Sequence, residues 1–261
     1  YADGSLWMLS SMGPGMTTLI RMDPMTGVPS FTFFGAMQAD ALAHDGTDLF
    51  ATRTAGEWLC GSANPNRIEG LDPVTAVLVR SLPSPAATET GGLAFLDGLL
   101  YAAGVVDTDL CDGLTGVGTI TALDPVDGTL LGSFEIGALG DEPQHLASGG
   151  EVLLYGSWAG QEGVASPAFS WPVYSLDSAG NVVDSKVLFE TAVVTGVEAS
   201  QSFDIGGMAW GGGELFVLNN STQTVQVFDF PVADPPPPPP PPAREVSLDI
   251  RPGDNENCIN L

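Results

Sequence analysis

A short fragment built around an aspartate recurs five times along this chain, and its spacing constrains the fold more than any other feature. The copies are Arg21-Met22-Asp23-Pro24-Met25-Thr26-Gly27, Leu71-Asp72-Pro73-Val74-Thr75-Ala76, Leu123-Asp124-Pro125-Val126-Asp127-Gly128, Leu176-Asp177-Ser178-Ala179-Gly180 and Val227-Phe228-Asp229. Their aspartates lie 49, 52, 53 and 52 residues apart. A constant period of about 50 residues marks a repeat architecture in which one supersecondary unit is copied and packed against its neighbours. Asp-Pro-x-x-Gly also has a local meaning. Pro presets φ and Gly accepts a positive φ, so each copy reads as a turn.

Aligned on the aspartates, the units show four strand signals. The first is short and small, as in Ala41-Leu42-Ala43-His44, Gly92-Leu93-Ala94-Phe95, His145-Leu146-Ala147-Ser148 and Gly207-Met208-Ala209-Trp210, where an alanine permits close approach to an axis. The second is a continuous apolar run, such as Leu49-Phe50-Ala51-Thr52 or Val152-Leu153-Leu154-Tyr155, suited to a sheet covered on both faces. The third leads into the aspartate, and the fourth, such as Val77-Leu78-Val79-Arg80, returns outward. Four antiparallel strands per unit, repeated radially, describe an all-β, five-bladed β-propeller. The units supply three, four, four, four and three strands, because the first lacks its first strand and the fifth lacks its fourth. Eighteen strands stand where 20 are needed, so the seam is expected to lack strands and to leave open edges.

The segment Gly207-Met208-Ala209-Trp210 through Leu215-Phe216-Val217-Leu218-Asn219-Asn220 to Thr224-Val225-Gln226-Val227-Phe228-Asp229 resembles a unit of the YVTN and related bacterial propeller repeats. The resemblance covers roughly residues 1 to 230 and implies the fold, while propellers of this kind host enzymes, binders and structural modules alike. The expected organisation is a propeller over 1–230, a proline-rich linker over 231–243 and a strand segment over 244–261.

Charge narrows the partners. Thirty-two acidic residues against seven basic ones give a net charge of −25, which opposes association with nucleic acid or an anionic membrane surface. No apolar run is long enough for a transmembrane helix. Lys186 is the one lysine. Few lysines, a proline tract, cysteines in register and an opening Tyr1-Ala2-Asp3-Gly4 that reads like a processed terminus all suggest an extracellular or cell-surface protein.

Beyond Asp229 come Phe230-Pro231-Val232-Ala233-Asp234 and eight consecutive prolines, Pro235 to Pro242. At about 3.1 Å per residue this tract is a polyproline II rod of roughly 25 Å. A hairpin return to an adjacent edge needs only about 2 to 5 residues. Past the rod, Arg244-Glu245-Val246-Ser247-Leu248-Asp249-Ile250 alternates strictly and puts Val246, Leu248 and Ile250 on one face, the pattern of a strand. Two readings stay open. Val246 to Asp254 resembles the opening "IDIKPG" stretch of a small β-module that follows linkers in secreted bacterial proteins. Alternatively, the rod projects the strand into the deficient seam of a neighbouring subunit, and such a head-to-tail contact builds a homopolymer or filament unless it closes a ring.

Cys60 lies 12 residues before Asp72 and Cys111 lies 13 before Asp124, so a disulfide between adjacent blades is expected. Cys258 is the odd cysteine and suggests an intermolecular bridge. Gln38, Glu89, Glu142 and Asp204 each precede a first-strand Leu or Met by four residues and should ring one mouth of the channel, with Asp40 and Asp141 nearby. Such a ring offers oxygen ligands to calcium, although an acidic solvated rim explains the same residues and no Asp-x-Asp-x-Asp-Gly loop accompanies it. Long loops with Trp58 and Trp158, and Trp171 beside the third, could form an apolar contact surface or anchor those loops.

His44 and His145 are the two histidines, one residue apart in repeat register and so on opposite strand faces. No Gly-x-Ser-x-Gly elbow or phosphate loop occurs. The leading reading is a non-enzymatic structural subunit assembled through its tail. The alternatives are a lactonase- or lyase-like propeller enzyme using a divalent ion, and a monomeric propeller that binds glycan or protein through its long loops.

Overall fold

The computed structural model describes residues 4–13, 16–35, 39, 41–53, 66–85, 90–106, 117–136, 139, 143–157, 170–190, 205–219 and 224–230. They form five antiparallel sheets arranged as a five-bladed β-propeller. Blade I holds β1 (Leu6–Gly13), β2 (Met16–Met22) and β3 (Pro29–Gly35), and blade II holds β4 (Leu42–His44), β5 (Leu49–Arg53), β6 (Arg67–Leu71) and β7 (Leu78–Pro83). Blade III holds β8 (Thr90–Leu96), β9 (Leu99–Val106), β10 (Val117–Leu123) and β11 (Leu130–Glu135). Blade IV holds β12 (Pro143–Gly149), β13 (Val152–Ser157), β14 (Ser170–Leu176) and β15 (Val182–Glu190), and blade V holds β16 (Ile205–Gly211), β17 (Glu214–Asn219) and β18 (Thr224–Asp229). The blades thus carry three, four, four, four and three strands among the described residues, as the sequence anticipates.

Register identifies which strands are missing. Leu49 pairs with Leu71, Leu100 with Leu123, Leu153 with Leu176 and Leu215 with Phe228, each partner standing immediately before a repeat aspartate. Leu6 pairs with Met22, immediately before Asp23, so β1 is a second strand. Among the described residues blade I therefore lacks its innermost strand and blade V its outermost.

The same local chemistry is reused in each blade. The repeat aspartates close Asx turns: Asp72 Oδ1 accepts from the N–H groups of Val74 and Thr75, both at 2.8 Å, and Asp23 Oδ1 from Met25 at 2.8 Å and Thr26 at 3.0 Å. The last turn residue is left-handed, and Gly27, Gly128 and Gly180 meet that demand without a side-chain penalty. Ala76 holds the same place in blade II at φ 55°. Just before each turn the pairing of third and fourth strands slips, at Arg21/Met22, Gly70/Leu71, Ala122/Leu123 and Ser175/Leu176. A bulge there increases the local twist and carries the outer strand out of the plane of the blade.

The second strands of blades II to V are buried on both faces, which explains their unbroken apolar runs: Leu49, Phe50 and Ala51 are all buried, as are Leu153, Leu154 and Tyr155, whereas Trp7, Met8 and Leu9 of β1 are half-buried. Burial is organised between blades rather than around one centre. One cluster joins Leu19 of blade I to Leu49 and Leu71 of blade II, and a second joins Phe50 and Leu82 to Leu93 and Leu123 of blade III. A third joins Tyr101 and Ile120 to Leu146 and Tyr155 of blade IV, and a fourth joins Leu154 and Val173 to Leu215 and Phe230 of blade V. Among the described residues no such cluster joins blade V to blade I.

Candidate functional site at the seam

Junctions II/III and III/IV are clasped in one direction, with the aspartate turn of a blade resting on the outer strand of the blade before it. Gly128, in the turn of blade III, lies so close to β7 that an added Cβ would stand 2.8 Å from Pro83 Cδ and 3.2 Å from Leu82 Cβ. A Cβ on Gly180, in the turn of blade IV, would run into the ring of Phe134 on β11. The backbone must be this near for the turn to cover an apolar side chain, so glycine is used for its size as well as its φ.

Cations reinforce junctions II/III and IV/V. Arg80 of β7 donates from Nη1 to the carbonyl oxygen of Pro125 at 3.0 Å, pairs with Asp48 at 2.5 Å and lies over the ring of Phe50. Lys186 of β15 donates to the carbonyl oxygen of Asp229 at 2.9 Å and lies over the ring of Phe230. Outer strands II and IV share one face pattern, a cation followed two residues later by leucine: Arg80 and Leu82, Lys186 and Leu188. Leu82 is buried, and Leu188 packs against the core between blades IV and V.

The turn of blade I is built as well as the others but meets none of the described residues at Gly27. Asp23 N–H reaches Val28 O at 3.1 Å and Gly27 N–H reaches Asp23 O at 2.9 Å, matching the bonds at Asp72 and Asp124. The Asp23 carboxyl is held below its ordinary range by the Thr26 and Met25 N–H groups, as that of Asp72 is by Thr75 and Val74. Yet a Cβ on Gly27 would meet no atom within 4 Å among the described residues, and Gly27 is exposed where Ala76 and Gly128 are buried. The outer strand of blade V would complete the ring at this point.

β18 shows the same vacancy from the other side. Its counterparts are buried, with Ile120 of β10 and Val173 of β14 both at 0% exposure. No residue of β18 is buried, and Val227 is 50% exposed. The Oε1 atom of Gln226 is buried without a hydrogen-bond partner among the described residues. β18 pairs with β17 alone there.

On the axis, a cavity of about 140 Å³ is bordered by Trp7, Ala43, Ala94, Ala147, Ala209 and Trp210. Ala43, Ala94, Ala147 and Ala209 face Phe50, Tyr101, Leu154 and Phe216 on the second strands, so they form one ring of small residues as the sequence implies. His44 and His145 also border the cavity. His44 follows the ring alanine by one residue and His145 precedes it by two, so they are three steps apart in register, not one. The parity, and with it the placement on opposite faces, is unchanged. His145 packs edge-on to Trp171 at 6.1 Å between ring centres. Trp171 is buried and sits so close to Gly156 that a Cβ there would stand 2.5 Å from its Cζ2. It anchors the blade rather than offering a contact surface.

The other anticipated site residues lie outside the described residues: Gln38, Glu89, Glu142 and Asp204 of the carboxylate ring, with Asp40 and Asp141; Cys60, Cys111 and Cys258; Trp58 and Trp158; and Val246, Leu248 and Ile250 of the tail. Glu89, Glu142 and Asp204 each immediately precede an inner strand, β8, β12 and β16. Among the described residues no cluster of three or more His, Cys, Asp or Glu is arranged to hold a metal ion. The sequence placed the seam and the strands it lacks but not the clasp, for which the signal was the glycine ending the turns together with the cation on two outer strands.

No protein-family model matches the chain, and no curated protein matches it. Among solved structures, the WD40 domain of Neurospora crassa Pan2 is similar at 12% identity and a TM-score of 0.42, over 85% of this chain and 63% of that one. The chain therefore spans less than two thirds of that neighbour's length.

Proposed function

We propose that this propeller is a non-enzymatic structural subunit whose copies are joined into a filament or other homopolymer by the segment around Val246, Leu248 and Ile250 completing a neighbour's seam. The observation that carries this reading is that, among the described residues, blades I and V each hold three strands and the turn between them is uncovered at Gly27. A free β-edge beside an uncovered apolar turn favours strand addition, because main-chain hydrogen bonds supply affinity and alternate side chains supply fit. The octaproline rod supports acceptance in a second copy, since a strand meant for its own adjacent edge needs a tight hairpin instead. On this reading the protein works outside the cell, as its acidic, lysine-poor composition also suggests, and Cys258 locks neighbouring subunits by a disulfide.

The test is light scattering and electron microscopy of the full chain beside Leu248→Asp. The expected result is a polymer in the first and a monomer in the second. A full chain that stays monomeric across the micromolar range removes the reading. The same mass for both proteins, whatever its value, removes the role of the tail.

A further inference from the structure

Two strand positions are vacant among the described residues, the innermost of blade I and the outermost of blade V, and the side chains distinguish them as acceptors. Inner strands carry the alanine ring of Ala43, Ala94, Ala147 and Ala209, with glycine at Gly92 and Gly207, because they converge on the axis. At Gly92 a Cβ would already stand 2.6 Å from the backbone nitrogen of Leu146. Only the ring-facing side of an inner strand excludes bulk, since the opposite side carries Leu93 and Leu146 into the cores between blades, so the choice between the two slots rests on the outer-strand pattern. Two of the four described outer strands, β7 and β15, follow another pattern, with a cation and then an apolar residue on one face, as Arg80 and Leu82 or Lys186 and Leu188. The tail face Arg244, Val246, Leu248, Ile250 obeys it.

Charge supports the same assignment. Of the seven basic residues in the chain, Arg21, Arg53, Arg67, Arg80 and Lys186 all have hydrogen bonds within the propeller, while Arg244 and Arg251 bracket the tail strand. A strand flanked by arginines suits an edge of a strongly acidic ring, where it removes like-charge repulsion between subunits.

We propose that the receiving slot is the outer position of blade V, between the outward edge of β18 and the Asp23–Gly27 turn of blade I, occupied by residues 244–250 with Arg244 donating to the carbonyl oxygen of Pro24. That bond repeats the one from Arg80 to the carbonyl oxygen of Pro125, because Pro24 follows Asp23 as Pro125 follows Asp124. Val246, Leu248 and Ile250 then cover β18 and the exposed side of Gly27, as Leu82 and Pro83 meet Gly128. This deepens the assembly reading and rests on it for the source of the strand.

Hydrogen exchange by mass spectrometry on the full chain tests the slot, with Leu248→Asp, Arg244→Ala and Arg244→Lys compared under identical conditions and particle mass measured in parallel. The amides of β18 are expected to exchange slowly in the full chain and at least tenfold faster in Leu248→Asp, with β9 unchanged in both. Arg244→Ala is expected to weaken assembly by about tenfold, the scale of one hydrogen bond from a charged donor, and Arg244→Lys to restore most of it, as Lys186 serves blade IV. Assembly with protection at β1 instead of β18 overturns the slot and leaves the assembly reading standing. Monomeric protein whose β18 protection is still released by Leu248→Asp supports the slot and overturns assembly. Monomeric protein with β18 indifferent to Leu248→Asp overturns both.

Discussion

Blades II to IV and blade I share the aspartate turn and the bulge just before it, and they differ in what the turn meets. The turns of blades III and IV rest on the outer strand of the blade before, whereas at the seam a complete turn meets no described residue at Gly27. Local sequence therefore builds the turn whether or not a neighbour is there, and stability comes from what the turn covers. The ring should be strong through its middle and weak where its first and last units meet.

The largest effect that could break this contrast is a cavity in the interior. Leu154 is fully buried between blades IV and V, so in the Leu248→Asp chain, whose tail leaves the slot open, Leu154→Ala should cost about 2 to 5 kcal/mol in denaturant unfolding, against less than about 1 kcal/mol for Val227→Ala on half-exposed β18. Equal losses would mean that β18 is covered after all. A sharper comparison, in the same Leu248→Asp chain, uses one substitution at equivalent turns. Gly27→Ala should cost only the left-handed backbone penalty of about 1 to 2 kcal/mol, which Ala76 already bears in blade II, while Gly128→Ala adds a collision with Pro83 and should exceed it by a further 1 kcal/mol or so. Thermal midpoints lowered equally by both would refute the one-directional clasp.

The smallest expected effect is with acid. The folded pKa values of Asp23, Asp72 and Asp177 are lowered, the first two chiefly by turn N–H groups and the third chiefly by the Asn181 side chain. A lowered folded value means stability that is present above the unfolded value near 3.8 and lost as pH falls through the lower folded one. Stability should therefore slope downward below about pH 4, and Asp72→Asn should make that slope shallower in a series of unfolding curves. An unchanged slope would separate the turns from the acid response.

Much of the fold was legible because it repeats. The period located the strands, the apolar runs named the second strands, and the Asp-Pro pairs named the turns. Ala76 shows why glycine alone is an incomplete guide: the turn in blade II forms around alanine because its Asp72 and Thr75 contacts hold it. The histidine register was a miscount against the ring alanine, which stands seven residues before its facing residue in all four of these blades and so places His44 one step after it and His145 two before. The clasp was hidden for a deeper reason, since it is a contact between units some 50 residues apart, and periodicity describes each unit by itself.

The bulge placed before each aspartate has a consequence for how such a chain can change. Every blade from II to IV carries its own register slip, its own turn and its own outer strand, so the rule for joining a neighbour is written inside a single unit. A unit of this kind is a cassette. Copying blade III in tandem should enlarge the ring by one blade while leaving the first and last units, and the gap between them, as they are.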